Sequence, residues 1–83
     1  MNNLSPNNSP QIPYTEFADR LKIAMNARNY TVADLARRIH ASHSTISMYR
    51  CGSRMPDIEM LRIIAKELHV STDYLLGLTD FFY

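Results

Sequence analysis

From Tyr14 onward, short apolar stripes at a period of 3.6 residues alternate with single polar residues suited to starting a helix, and no stretch shows the two-residue alternation of a strand. Phe17, Leu21, Ala24, Met25 and Arg28 share one stripe, with Thr15 placed to cap it. Val32, Leu35, Ala36 and Ile39 form a second, tighter face behind Thr31, whose hydroxyl is positioned to accept from the amide of Asp34. A third helix starts at Ser42, with Ile46 and Tyr49 on one side and His43, Ser44, Ser47 and Met48 on the other. Gly52 suits the left-handed residue that ends a helix, and Pro56 prevents continuation. Ile58, Leu61, Ile64, Ala65 and Leu68 give a fourth core-facing stripe behind Asp57 as cap. A last helical turn carrying Tyr74, Leu75 and Leu76 is started by Ser71 and stopped by Gly77. The pattern predicts an all-α fold of five helices.

The break at His40-Ala41-Ser42 carries the first functional implication. Two short helices joined by a three-residue turn form a geometry in which the first crosses the DNA phosphate backbone and the second enters the major groove. Outward residues of the second helix must then be small or polar enough to reach base edges. His43, Ser44, Ser47 and Met48 meet that requirement.

The same residues carry a family resemblance. "TVADLARRI" from Thr31, the spaced set Ser42, Ser44-Thr45-Ile46-Ser47, Tyr49-Arg50, Gly52, Arg54 and Pro56, and "IAKELHVSTDYLLG" from Ile64 are similar to the Cro/C1-type helix-turn-helix family of phage repressors and bacterial xenobiotic-response-type regulators. The resemblance covers Phe17 to Asp80. It implies a compact, lambda-repressor-like bundle with helices 2 and 3 as the helix-turn-helix. It also implies a transcriptional regulator, a small repressor, that binds a pseudo-palindromic operator in double-stranded DNA as a homodimer, without a cofactor. Carried over by position, the base contacts fall on His43, Ser44, Ser47 and Met48, and the backbone contacts on Thr31, Ser42, Thr45, Arg50, Ser53 and Arg54.

Four positions depart from the family pattern. Val32 stands where Gln often follows the cap, removing one polar bridge to the third helix and the DNA backbone. His40 occupies a turn position that often holds Gly, so a left-handed conformation is expected of a histidine. Met25 and Arg50 replace a frequent Arg–Glu pair, so Arg50 is expected to stay out of the interior and add to the DNA-facing charge.

Charge refines this reading. The formal net charge is +1, which by itself argues against a polyanionic partner. Divided along the chain, residues 1–19 carry −2, residues 20–54 carry +6 and residues 55–83 carry −3. A basic centre between acidic ends still permits a DNA-binding face, because the local field governs the encounter. Arg37 and Arg38 lie opposite the core face of the second helix and read as solvated surface, whereas Arg28 either meets phosphate or closes the first helix.

At 83 residues the chain has room for one small domain, read as residues 14–80, behind a polar leader over 1–13 and before an apolar tail over 81–83. The leader holds three prolines, four asparagines and no charge, a composition expected to stay disordered and to bind nothing. The lone Cys51 makes no internal disulfide, and no membrane span or signal peptide is expected, so the cytoplasm is the expected compartment. No nucleophile–base pair, carboxylate pair or open metal site suggests an enzyme. His40, His43 and Cys51 lack zinc-finger spacing, so no metal is expected. A second function class is a protein-binding module on the same fold, with a toxin or anti-repressor as partner. Finally, Met60 and Ile63 lie opposite the fourth helix's main stripe and the chain ends in Phe81-Phe82-Tyr83; either this tail folds back over its own fourth helix or, the preferred reading, it packs across a two-fold axis onto a second copy.

Overall fold

The computed structural model describes residues 14–83; the leader over 1–13 lies outside the described residues. Five helices follow in order: α1 (Thr15–Ala27), α2 (Val32–Ile39), α3 (His43–Cys51), α4 (Ile58–Leu68) and α5 (Thr72–Leu75). There is no strand among the described residues. The helices close a ring around one core, α1 against α3, α3 against α2, α2 against α4, α4 against α5, and α5 back against α1. Leu21, Met25, Leu35, Ile46, Ile64, Leu68 and Leu75 fill its centre and are almost fully withdrawn from solvent.

Helices of eight or nine residues are too short to persist alone, so their ends must be fixed. Thr31, Ser42, Asp57 and Ser71 each accept a bond from the amide three residues ahead, as the sequence predicts. At α2 the arrangement is reciprocal, because the Thr31 amide also donates to Asp34 Oδ2 at 2.9 Å. Thr15, expected as a cap, is instead the first residue of α1, and the cap position belongs to Tyr14, which makes no side-chain cap bond. The Tyr14 amide donates to the Gly52 carbonyl at 3.3 Å, so the start of α1 is tied to the end of α3.

Every helix ends in the same way. A left-handed residue, Asn29, His40, Gly52, His69 or Gly77, is followed by a residue whose amide reaches back five positions to a helix carbonyl. His40 adopts φ 57°, as its place in the turn predicts. Asn29 and His69 do the same without a glycine-like signal in the sequence.

The core is wider at α4 than one stripe. Ile58, expected inside, is 85% exposed, because Met55 and the buried Pro56 occupy the core side just ahead of it. Met60 and Ile63, expected on a separate apolar face, are half-buried against the core, since α4 is contacted by α2 on one flank and α5 on the other. The tail divides as well: Phe82 folds back, with its ring edge-on to Tyr74 at 4.9 Å, while Phe81 and Tyr83 stay exposed.

Two predictions follow from the helix ends. The left-handed region costs an L-residue about 1–2 kcal/mol, partly offset by the extra chain entropy that glycine loses on folding. His40→Gly should therefore raise stability by up to about 1 kcal/mol and the Tm by a few degrees, and His40→Val should lower both, as thermal unfolding would measure. Asp34 supplies the second. Hydrogen bonds from the Thr31 backbone and side chain, with Arg37 adding, hold its carboxyl below the usual aspartate range. The unfolded chain then takes up the proton first, so this contribution is complete above about pH 4 and is lost as pH falls through the lower folded value. Asp34→Asn should lose stability less steeply between about pH 4 and pH 2 in acid titrations followed by circular dichroism.

Candidate nucleic-acid interface

The exposed side of α3 begins at its cap. Ser42 holds extended backbone, and its Oγ accepts from the Thr45 amide at 3.1 Å while lying 2.8 Å from Thr45 Oγ1 and 3.4 Å from Ser44 Oγ. With Ser42 donating to Thr45, the Thr45 hydroxyl keeps its own hydrogen for an outside acceptor. Thr31 caps α2 in a related way: its Oγ1 accepts from the Asp34 amide at 3.1 Å while its own hydrogen serves the Asp34 carboxylate. Two capped helix starts thus present the positive ends of their dipoles, with the Thr45 hydroxyl as a free donor at the second.

Beyond the cap, His43, Ser44 and Ser47 are exposed and Met48 is half-exposed, while Ile46 and Tyr49 are buried on the opposite side. The inner face is held by α1, where Phe17 meets Tyr49 edge-on at 6.3 Å. The four residues expected to face bases are therefore on one accessible surface, next to exposed Ser42 and half-buried Thr45. Ser53 and Arg54 follow α3 and are exposed; Ser53 Oγ donates to the Met48 carbonyl at 3.3 Å. Exposed Thr31 begins the preceding helix.

Ion pairing sorts the cations of the basic centre. Arg37 pairs with Asp34 and Arg38 with Glu67, each at 3.4 Å, and Arg20 pairs with Glu16 and Asp80 at 2.9 Å. Lys22, Arg50 and Arg54 have no carboxylate in ion-pair range among the described residues. No acidic residue occurs between Asp34 and Asp57. Arg28, weighed as a phosphate contact or as a closure for α1, instead donates Nε to the Leu68 carbonyl at 3.1 Å and finishes α4. Arg38, read as solvated surface, lies over the Tyr30 ring at 4.7 Å, and the Tyr30 hydroxyl donates to Glu67 at 3.0 Å.

Arg50 corrects one expectation. The residue is half-buried, not external, and its Nε is buried with no acceptor among the described residues. An arginine at the last turn of α3 lays its stem along apolar surface and keeps its terminal nitrogens as the part able to meet an anion. Lys22 is the cation that sequence reasoning missed. Cys51 Sγ lies 3.2 Å from Ser53 Oγ, and its hydrogen bonds with Ser53 pull the thiol below the usual range, with the Lys22 charge contributing. α1 packs on α3, so the Lys22 charge is felt at Cys51, an effect that no sequence spacing signals. No group of three or more potential metal ligands occurs among the described residues, and none of their helices is long and apolar enough to cross a membrane.

Comparison with known proteins gives a consistent result. A family model described as helix-turn-helix matches residues 21–75. The chain is 36% identical over 64 residues to an uncharacterized HTH-type transcriptional regulator, YobD, of Bacillus subtilis (strain 168), covering 77% of this chain and 57% of that protein. It is 36% identical over 58 residues to the HTH-type transcriptional regulator ImmR of the same organism, covering 70% of this chain and 46% of that protein. It is 33% identical over 62 residues to the HTH-type transcriptional activator BcrR of Enterococcus faecalis, covering 75% of this chain and 30% of that protein. The matched region thus spans between about a third and just over half of these relatives. No solved structure matches the chain.

Proposed function

The chain belongs to the Cro/C1-type helix-turn-helix family of DNA-binding transcriptional regulators, and from that premise we propose that it reads a specific duplex sequence with α3 in the major groove and represses by occupying its operator. The observation that carries this reading is the exposed side of α3: short polar side chains without a carboxylate, followed by Arg50 and Arg54, which have no carboxylate in ion-pair range among the described residues. An α-helix fits the major groove, where each base pair displays its own set of donors, acceptors and methyl groups. His43 donates or accepts at a base edge, Ser44 and Ser47 do either, and Met48 packs on a thymine methyl. Thr45 donates its hydroxyl hydrogen to a phosphate oxygen, Thr31 and Ser42 set the two helix N-termini against the phosphates, and Ser53, Arg54 and the terminal nitrogens of Arg50 meet the backbone at the other end of α3. Repression requires occupancy of the site and no further contact.

Two copies complete the reading. A symmetric pair sets its α3 helices ~34 Å apart, one turn of DNA, and so recognises a pseudo-palindrome. Of the apolar residues first considered for this contact, Met60, Ile63 and Phe82 pack against their own core, which leaves Phe81 and Tyr83 for a neighbour.

Selection of bound sites from random duplex DNA tests the proposal directly. The wild-type chain should enrich a two-fold motif, and replacing Ser44 and Met48 by Ala should change the bases enriched while helicity stays intact, since a good base contact is worth about 1–3 kcal/mol. An unchanged motif would remove α3 from the groove. Arg54→Ala should instead weaken all sequences alike and flatten the log–log salt dependence of binding by about 0.9, the share of one neutralised phosphate.

A further inference from the structure

The most heavily engaged charged side chain among the described residues is on α1. Arg20 projects from α1 and is only 16% exposed. Its Nε donates to Glu16 Oε2 at 2.9 Å, Nη1 to the Thr79 carbonyl at 2.8 Å and Nη2 to Asp80 Oδ1 at 2.9 Å. Its Cζ lies 4.6 Å from the centroid of the Tyr74 ring, and Phe82 packs edge-on against the same ring. The Phe82 carbonyl accepts from the Ser71 amide, at the start of α5. Gly77, left-handed at φ 80°, lets the turn after α5 lie close on Glu16, where a Cβ would stand 2.6 Å from Cγ. One guanidinium therefore gathers α1, α5 and the segment after α5.

That segment also carries apolar surface with no cover. Leu78 is 72% exposed, Phe81 74% and Tyr83 92%. Taking ~150–250 Å² for a fully covered aromatic ring, the three offer about 400 Å² per copy. Two such patches meeting across a two-fold axis would bury about 800 Å² in all, below the ~1,200 Å² at which stable specific interfaces begin and in the range of weak, transient pairs. An interface of that size suits a pair that forms weakly in solution and firmly when DNA aligns both members. The nearby charges, Arg20, Glu16 and Asp80, are of mixed sign, which a self-complementary contact tolerates.

We propose that Arg20 is the latch that holds residues 78–83 against α1 and α5, so that Leu78, Phe81 and Tyr83 meet the same segment of a second copy; the inference rests on the two-copy reading above. Arg20 is a positioning residue in this arrangement. The planar fork reaches three acceptors at once, which a lysine ammonium on a flexible stem does not reproduce.

The test uses the full chain and two readouts. Hydrogen exchange of the Ser71 amide, followed by NMR, reports the closed latch without reference to DNA. Titration of duplexes carrying one or two half-sites, taken from the selected motif, reports pairing. Arg20→Gln should speed Ser71 exchange and cut cooperativity on two half-sites, each by about tenfold, with affinity for one half-site within about twofold of wild type. Asp80→Asn, at a side chain that is 90% exposed and so harmless to folding, should move both readouts in the same direction by less. Arg20→Lys should fail to restore them. Replacing Phe81 and Tyr83 by Ser should abolish cooperativity while leaving Ser71 protected. Unchanged Ser71 exchange in both Arg20→Gln and Asp80→Asn overturns the latch. Faster exchange with cooperativity intact overturns its link to pairing and leaves the two-copy reading standing. A wild-type chain without cooperativity on two half-sites overturns that reading, and the latch's role in pairing with it.

Discussion

The fold depends on how its helices stop. α2 and α3 span eight and nine residues, below the length at which a helix persists in water, and α5 is a single turn. What holds them is a closure repeated after each helix, a left-handed residue and then an amide bonded five positions back. The closure satisfies carbonyls that would otherwise be orphaned and turns the chain sharply enough for the next cap to follow at once. At the α2–α3 junction this takes three residues: His40 in the left-handed region, Ala41 donating to the Ala36 carbonyl at 2.9 Å, and Ser42 already capping α3. A longer loop would leave the angle between the two helices to the core alone. Here the backbone itself sets it, at the cost of placing a histidine where glycine rests more easily.

With the ends fixed, the apolar stripes have few ways to meet. The ring of contacts from α1 through α3, α2, α4 and α5 buries one side of every helix and leaves the outer side of α3 uncovered. Ile46 and Tyr49 anchor that helix from behind, so its polar residues are presented by a rigid element. Burial of a large apolar side chain contributes about 1.5–3 kcal/mol, which makes the inner residues of α3 the source of its stability and frees the outer ones for other demands.

Much of this was legible in the sequence because it is local chemistry. Period, caps and breaks depend on residues within four positions of one another, and Thr31, Ser42, Asp57, Ser71, His40 and Gly52 all behave as their neighbours dictate. The left-handed Asn29 and His69 were not legible, since neither residue type requires that conformation. The failures at α4 are tertiary. Ile58 has the right period for the core, but Met55 and Pro56 reach that side first, and Met60 and Ile63 have the wrong period yet are drawn in because two helices flank α4. For the candidate site, the polar surface of α3 was readable from its helical phase. The half-buried Arg50, the Lys22 contribution and the commitment of Arg28 to α4 were not, because each depends on which helix lies alongside.

The distribution of charge shows why a net charge of +1 does not weaken the DNA-binding reading. A cation within a few ångströms of a carboxylate contributes little field at a distance, so Arg37 beside Asp34, Arg38 beside Glu67 and Arg20 between Glu16 and Asp80 are nearly silent toward an approaching polyanion. Lys22, Arg28, Arg50, Arg54 and Lys66 have no such carboxylate among the described residues and keep their field, Arg50 in the last turn of α3 and Arg54 just after it. The acidic residues thus do more than lower the total: they neutralise particular basic groups and leave the unpaired ones to shape the local field. Asp73, exposed on α5 and without a cation in ion-pair range among the described residues, disfavours a polyanion there.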